Sequence, residues 1–257
     1  MPKFSQNFLI NQSVLPEIIQ AADLNSNDLI LEIGPGRGIL TKQLCRVAHE
    51  IIAIEIDREL IPGLREIQAV LPNLKIYNAD FNEFNYQEII GNRPYKIVAN
   101  IPYHITGLII RNIFNHKFHL PSRVVLMVQY EVAKKMFPKE QDQTVLSNIL
   151  RAFGTVSIVA KVDKKSFKPV PKVDSAIVLI DQIKPPQIKN FDKFISLIKI
   201  GFSARRKTLC NNLAHGLDIP KPEIAKILSG LGIAPNSRAQ TLSLAQWKKL
   251  YLKLNYK

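Results

Sequence analysis

The segment that decides the fold is LILEIGPGRG, residues 29–38. It joins a short apolar run, 29–33, to a turn that carries three glycines. An uninterrupted apolar run of this length is typical of a parallel strand buried on both faces. Closely spaced glycines let a backbone turn tightly and approach a ligand. The segment therefore predicts a strand, then a ligand-binding turn, then a helix over 39–47.

The residues that follow repeat this alternation of strands and helices. Further strands are predicted at 51–55, 74–77, 95–99 and 124–128, and helices at 59–70 and 106–114. Two later β-rich runs, 156–162 and 175–180, are separated by a proline-containing loop and could form an antiparallel pair at the sheet edge. Such alternation favours an α/β class fold, a doubly wound, Rossmann-like sheet with helices on both faces.

Pro185-Pro186 ends this pattern. Beyond it only helices are predicted, at 191–200, 205–216, 221–230 and 243–253. We therefore place a domain boundary near 182–190. It divides the chain into an α/β domain, 1–184, and a small all-helical domain, 185–257.

The positive charge is concentrated in the second predicted domain. The chain of 257 residues has a net charge of +14, and residues 185–257 hold 13 basic but only three acidic side chains. A segment this basic suits a polyanion, because neutralised phosphates release condensed counterions. The alternatives are a solvated basic surface or, with less support, an anionic membrane surface.

Composition excludes several other classes. The sequence has no run of about 18 apolar residues, the length a membrane span needs, and no apolar signal region at its start. Its two cysteines, Cys45 and Cys210, have no partner spacing for a metal site. Free thiols in a reducing cytosol are the simplest interpretation, and a structural disulfide is the alternative. We therefore expect a cytoplasmic protein without a metal or a membrane partner.

The spacing of the glycine turn restricts the ligand. Gly34, Gly36 and Gly38 follow the pattern G-x-G-x-G, and Ile39 stands where a dinucleotide site needs its third glycine. This spacing suits a ligand without a pyrophosphate, such as S-adenosylmethionine. A plain tight turn is the alternative.

Two carboxylates follow the next strands. Ligands bind at the carboxyl ends of strands in an open α/β sheet, and Glu55 at that edge can accept hydrogen bonds from two ribose hydroxyls. Asp80 can accept one from an adenine amine, with Phe81 covering the ring. The alternatives are an exposed loop acid for Glu55 and a helix cap for Asp80.

The tetrapeptide after the fourth strand predicts the chemistry. Adenine's exocyclic nitrogen is a poor nucleophile because its lone pair is delocalised into the ring. The side-chain oxygen of Asn100 and the carbonyl of Ile101 can accept its two hydrogens, with Pro102 fixing the loop and Tyr103 stacking on the base. This is positioning and electrostatic catalysis rather than general-base catalysis. The alternative is a turn without catalytic function, because the pattern N-x-P-Y by itself is common after a strand.

Phe167 lies in the loop FKPVP, residues 167–171, which two prolines stiffen. It is a candidate second stacking wall for a splayed base. The alternative is an aromatic residue that packs in the core.

These motifs together resemble those of the rRNA adenine N6,N6-dimethyltransferases, most closely the KsgA/RsmA type that acts on small-subunit rRNA. The resemblance runs in order from residue 3 to about 244 and rests on segments 6–9, 32–38, 55–57, 78–80, 100–103, 167–175 and 205–209. It implies two methyl transfers to each of two adjacent adenosines in a 3′-terminal hairpin loop, on an assembling small subunit. It also implies a cofactor site of S-adenosylmethionine lined by Asn7, Leu9, Gly34, Glu55, Asp80 and Asn100, to which we add Gly36, Ile56 and Phe81.

The sequence departs from the family pattern at two positions. Ile101 replaces the more usual leucine, and His104 stands where many members have asparagine. Because the isoleucine also occurs in large-subunit resistance methyltransferases, that substrate stays an alternative, although segment 167–175 looks more like the small-subunit type. The other hypotheses are a DNA adenine methyltransferase and a non-catalytic ribosome assembly factor.

The trio Arg205, Arg206 and Lys207 is predicted to open the second helix of the basic domain and to contact RNA phosphates. The expected partners are therefore small-subunit rRNA and its pre-30S particle. We expect the protein to be a monomer.

Overall fold

A computed structural model of the chain describes residues 7–102, 105–114 and 119–254. Its strands are β1 (Phe8–Leu9), β2 (Leu29–Ile33), β3 (Glu50–Glu55), β4 (Leu74–Asn78), β5 (Lys96–Asn100), β6 (Arg123–Gln129), β7 (Thr155–Val162), β8 (Phe167–Lys168) and β9 (Ser175–Asp181). Its helices are α1 (Leu15–Ala22), α2 (Ile39–Val47), α3 (Ile61–Val70), α4 (Tyr86–Ile90), α5 (Thr106–Ile113), α6 (Tyr130–Met136), α7 (Val145–Phe153), α8 (Phe191–Gly201), α9 (Leu209–Leu217), α10 (Lys221–Gly230) and α11 (Leu244–Leu254).

The chain forms two compact units. The first contains residues 1–133 and 154–184, and the second contains 134–153 and 185–257. The sequence-based division differs in one respect, because it left 134–153 in the first domain. These residues belong with the second unit since α7 packs against α8 and α11, with the Phe153 and Phe191 rings 5.1 Å apart.

The first unit is built on a seven-stranded sheet in the order β4-β3-β2-β5-β6-β9-β7. The five strands β4, β3, β2, β5 and β6 are parallel to one another. Strand β9 runs antiparallel to its neighbours β6 and β7. The predicted antiparallel pair therefore exists, with β7 at the edge. The α/β prediction, a Rossmann-like sheet followed by a helical C-terminal part, is confirmed.

Because the central strands are parallel, the polar residues that follow their carboxyl ends lie at one edge of the sheet. The side chains of β2 are buried, as a sheet covered on both faces requires. In register, Ile33 pairs with Ile54, so the glycine turn after β2 lies beside the end of β3. Gly38 then starts α2 with a positive φ of 75°, and a β-carbon there would clash with Ile67 of α3. Only glycine suits this junction.

A second, two-stranded sheet ties residues 8–9 to the same edge. Leu9 of β1 pairs with Phe167 of β8, and the backbone amide of Ile10 donates to the carbonyl of Ser166 at 2.8 Å. Neither strand was predicted, because a two-residue strand has no measurable alternation of apolar and polar residues.

The second unit has its own apolar core. Trp247 of α11 is fully buried and packs against Gly201 and Phe202, with the two aromatic rings stacked 6.0 Å apart. The Tyr251 hydroxyl donates to the Lys189 carbonyl at 2.8 Å, which fastens α11 to the segment before α8.

The trio 205–207 does not open α9, contrary to the sequence prediction. The helix begins at Leu209, and the Thr208 hydroxyl caps it by accepting from the Asn211 amide at 3.3 Å. The buried Asn212 side chain donates to the Gly201 and Ala204 carbonyls, which holds the preceding loop in a non-helical turn. The three basic residues therefore lie on the loop between α8 and α9.

Two further findings concern the chain as far as it is described. Cys45 and Cys210 are both buried, free thiols. Within residues 7–102, 105–114 and 119–254, no helix has the length and apolar character that crossing a bilayer requires.

Candidate active site

A cavity of about 340 Å³ opens at the carboxyl edge of the sheet in the first unit. Four successive strand ends, those of β2, β3, β4 and β5, contribute to it. Of the residues that the sequence singled out, it is lined by Asn7, Leu9, Gly34, Gly36, Glu55, Ile56, Asp80, Phe81, Asn100, Ile101 and Pro102. The fold thus brings the glycine turn, both carboxylates and the Asn100 loop to one place.

The glycine turn has a backbone that side chains rarely tolerate. Gly34, Gly36 and Gly38 have φ values of 68°, 59° and 75°. The Gly34 amide donates to the Ile54 carbonyl at 2.9 Å, and the Gly38 amide donates to the Pro35 carbonyl at 2.9 Å. Because these bonds tie the turn to β3 and to itself, its glycine positions form a fixed stretch of backbone that a ligand can approach closely.

Glu55 is held rigidly beside this turn. One carboxylate oxygen, Oε2, accepts from the Gly36 amide at 3.0 Å, and Oε1 accepts from the Asp57 amide at 2.9 Å. The side chain is buried, and burial raises the pKa of its carboxyl, an effect that these backbone hydrogen bonds partly offset. The bonds leave each oxygen a further lone pair, so the group can still accept hydroxyl donors.

Asp80 follows β4, the strand that pairs with β3 on the side away from β2. Its Oδ1 accepts from both the backbone amide and the side-chain Nδ2 of Asn82, at 2.8 and 3.0 Å. Phe81 beside it is buried and stacks on Tyr86, with the rings 5.1 Å apart. A polar acceptor next to a fixed aromatic face suits a heterocyclic base.

Glu32 is a site residue that sequence reasoning quoted in the motif but gave no role. It lines the cavity from within β2 and is only 1% exposed, and its Oε2 has no hydrogen-bond partner in the part of the chain described here. Burial, with the negative charge of Glu55 nearby, raises the pKa of Glu32 to about 8, and the Thr41 side chain offsets part of that rise. An acidic residue inside an otherwise apolar strand was the sequence pattern that could have indicated it.

The Asn100 loop leaves β5 at the cavity. The Ile101 amide donates to the Met127 carbonyl at 3.3 Å, and the Pro102 carbonyl accepts from the Ile105 amide at 3.3 Å. These bonds join the loop to β6 on one side and to the start of α5 on the other. Tyr103, expected to stack on a base, lies outside the described residues.

Phe167 is not placed as expected. Its ring is 1% exposed, belongs to the hydrophobic core and does not line the cavity. The reason is local, because pairing of β8 with β1 turns the ring inward against buried aliphatic side chains. The basic trio also does not line the cavity, since it belongs to the second unit.

Three further polar or aromatic residues of the cavity were given no role by the sequence analysis. Phe8 and Arg37 form a cation–π pair, with the guanidinium carbon 4.6 Å from the ring centroid, and Asn82 carries the hydrogen bonds to Asp80. Each adjoins a predicted site residue in sequence, which is the only indication the sequence offers.

The fold and this site together define a Rossmann-like methyltransferase. A crystal structure of a dimethyladenosine transferase from Plasmodium falciparum is similar, with a TM-score of 0.83, 30% identity and coverage of 96% of this chain and 97% of that one. The crystal structure of the 23S rRNA methyltransferase ErmE has a TM-score of 0.77 and 27% identity, and the match covers 97% of this chain and all of that one.

Sequence comparison narrows the class. The family model "Ribosomal RNA adenine dimethylase" matches residues 1–255. A ribosomal RNA small subunit methyltransferase A from Dehalococcoides mccartyi is 44% identical over 250 residues, covering 96% of this chain and 86% of that protein. The chain belongs to the ribosomal RNA adenine dimethylase family and is accordingly an rRNA adenine dimethyltransferase.

Proposed function

We propose that the protein dimethylates N6 of two adjacent adenosines in the 3′-terminal hairpin loop of 16S rRNA, in the cytoplasm, during ribosome biogenesis. The observation that carries the proposal is that Asn100 and the glycine turn line one cavity, so a base and a methyl donor can meet there. The small subunit is favoured because the curated relatives at 36–44% identity bear its name.

The residues of the cavity fit S-adenosylmethionine as the methyl donor. The glycine turn leaves room for the sulfur-bearing chain, Glu55 suits the ribose hydroxyls, and Asp80 with Phe81 suits the adenine ring. Asn7, Leu9 and Ile56 complete the walls. When bound, this cofactor supplies an electrophilic methyl group.

The chain's own part in the reaction is to orient and desolvate the amine. Asn100, through its side-chain oxygen, and the Ile101 carbonyl accept the two hydrogens of the adenine N6, which directs the nitrogen lone pair toward the methyl donor. Pro102 stiffens the loop. Tyr103 stacks on the base. The proton leaves after the new carbon–nitrogen bond has formed, so no strong base is needed.

The second unit supplies the affinity for RNA in this proposal. Arg205, Arg206 and Lys207 contact phosphates from the loop between α8 and α9. The Arg205 side chain is 70% exposed, and its nearest carboxylate oxygen, on Asp142, is 3.9 Å away, so this weak surface pair does not compete with a phosphate. The substrate is the pre-30S particle, and the enzyme acts as a monomer.

The test is methyl transfer from labelled cofactor to three purified substrates: unmethylated small subunits, large subunits and naked rRNA. We expect label in small subunits alone, recovered as N6,N6-dimethyladenosine after nucleoside analysis. Transfer to large subunits would instead support the function named for ErmE. No transfer to any substrate would support a non-catalytic assembly factor.

The Asn100→Ala variant tests the catalytic assignment. It should bind cofactor and RNA with nearly unchanged affinity, but its turnover should fall by about 10²–10³, the loss that removing one preorganised polar group causes. Single-turnover methylation measures the step directly. Turnover at the wild-type rate would remove Asn100 from the mechanism.

A further inference from the structure

A chain of side-chain hydrogen bonds reaches the cavity from α5. Asn112 of that helix does not line the cavity, yet its Nδ2 donates to Oδ1 of Asn82 at 2.9 Å. The Nδ2 of Asn82 in turn donates to Oδ1 of Asp80 at 3.0 Å. Helix α5 is thus linked to the carboxylate at the far side of the site.

The carboxylate of Asp80 fixes the direction of donation along this series of hydrogen bonds. An ionised carboxylate only accepts hydrogen bonds, so the amide nitrogen of Asn82 must face Asp80 and its oxygen must face away. That oxygen needs a donor, which only the amide nitrogen of Asn112 provides among the described residues. Asn112 therefore holds the Asn82 side chain in the one orientation in which its amide nitrogen donates to Asp80. Linked bonds of this kind reinforce one another.

These hydrogen bonds leave one carboxylate oxygen of Asp80 available. Both bonds from Asn82 end on Oδ1, and no other described residue donates to Oδ2. Since Asp80 lines the cavity and is half-buried, a fixed Oδ2 offers a directed acceptor to a ligand. An adenine amine can donate to it, whereas the keto oxygen of hypoxanthine, an acceptor, is repelled.

We propose that Asn112 is a positioning residue that, through Asn82, sets the preference of the site for a cofactor carrying adenine over one carrying hypoxanthine. This inference rests on the proposed function of the cavity. A site whose polar groups are fixed to hydrogen-bond one ligand strongly rejects an analogue that cannot make those bonds. A site whose polar groups can turn rejects that analogue less strongly. Without the side-chain bond, the Asp80 carboxylate keeps only its bond from the Asn82 backbone amide, so it can turn more freely and the discrimination falls.

Binding calorimetry with S-adenosylhomocysteine and S-inosylhomocysteine tests the proposal. We expect wild-type protein to prefer the adenine form strongly, and Asn112→Leu to lower the ratio of the two dissociation constants by about tenfold. Asn112→Asp is isosteric, cannot donate when ionised and should act in the same direction. The matched control is Asn85→Ala, which removes an exposed amide hydrogen bond to Glu88 on the same loop region and should leave the ratio unchanged.

Two outcomes would overturn the positioning role. One is an unchanged ratio in both Asn112 variants, including an equal loss of affinity for both ligands, which is what a merely structural residue causes. The other is additivity, because the double variant Asn82→Ala/Asn112→Leu should lose no more discrimination than Asn82→Ala alone if Asn112 acts through Asn82. Wild-type protein that binds neither ligand would instead overturn the proposed function.

Discussion

Folding strongly changes the chemistry of the Glu32 side chain. Its carboxyl is enclosed within β2, and burial raises its pKa to about 8 from the ordinary value of 4.5. The folded protein therefore keeps the proton at a pH where the unfolded chain has released it. By linkage, such a group stabilises the fold fully at low pH, and this contribution declines as pH rises from 4.5 to about 8.

The Glu32→Gln variant should remove this pH dependence, because glutamine has the shape of the protonated acid and does not titrate. Without cofactor, the wild-type free energy of unfolding should fall relative to the variant between pH 5 and 8, by on the order of 1 kcal/mol per pH unit. Urea unfolding at pH 5, 6.5 and 8 measures the difference. Parallel curves for the two proteins would show that Glu32 is ionised in the fold.

The regular elements of the sheet could be predicted because their sequences satisfy two requirements at once. β2 and α2 were predicted with their observed bounds. Each has an apolar pattern of its own, and the glycine turn between them marks where the strand ends and the helix begins. Short elements lack such a pattern. β1 and β8 have two residues each, and their pairing depends on chain segments far apart in sequence.

Some helices escaped prediction for a related reason. α7 was not assigned, although one of its faces is apolar, because its partner helices lie beyond the Pro185-Pro186 break. α9 was started too early, because helix propensity in 205–208 gave no sign that Asn212 would hold the loop before it. In both cases tertiary contacts, not local sequence, decided the boundary.

Trp247→Ala tests how far α11 depends on its packing. Removing a fully buried indole leaves a cavity against Gly201 and Phe202, so we expect a loss of about 3–5 kcal/mol in the free energy of unfolding. Since the chain has one tryptophan, circular dichroism rather than fluorescence should follow urea unfolding. Leu252→Ala is the control, because this residue of the same helix is 69% exposed and should cost below 1 kcal/mol. Equal losses would mean that the core of this unit lies elsewhere.

At the scale of the whole molecule, charge and chemistry are divided between the two units. The candidate active site is made entirely by the first unit, and the excess of basic side chains lies in 185–257. Composition alone predicted where the positive charge lies, since net charge depends only on counting residues, whereas the site was predicted from its motifs. The positions of the basic side chains depended on the loop geometry, which composition cannot give.

The double variant Arg205→Ala/Arg206→Ala should weaken rRNA binding and reduce its dependence on salt. If both side chains neutralise phosphates, the slope of log affinity against log salt concentration should become shallower by about 2. Filter binding between 50 and 200 mM salt measures the slope. Arg46→Ala/Arg65→Ala removes the same charge from exposed positions of the first unit and should leave the slope nearly unchanged. Equal effects of both pairs would indicate non-specific attraction.

The pairing of β1 with β8 has a consequence for biosynthesis. One wall of the cavity comes from Asn7 to Leu9, near the start of the chain, but it is anchored beside Ser166, to which Asn11 is bonded across 155 residues of sequence. A nascent chain extended at about 5–20 residues per second needs roughly 8–30 s between making the two partners. The cavity wall that residues 7–9 form is therefore completed only after residues 166–168 have been made, well after 7–11.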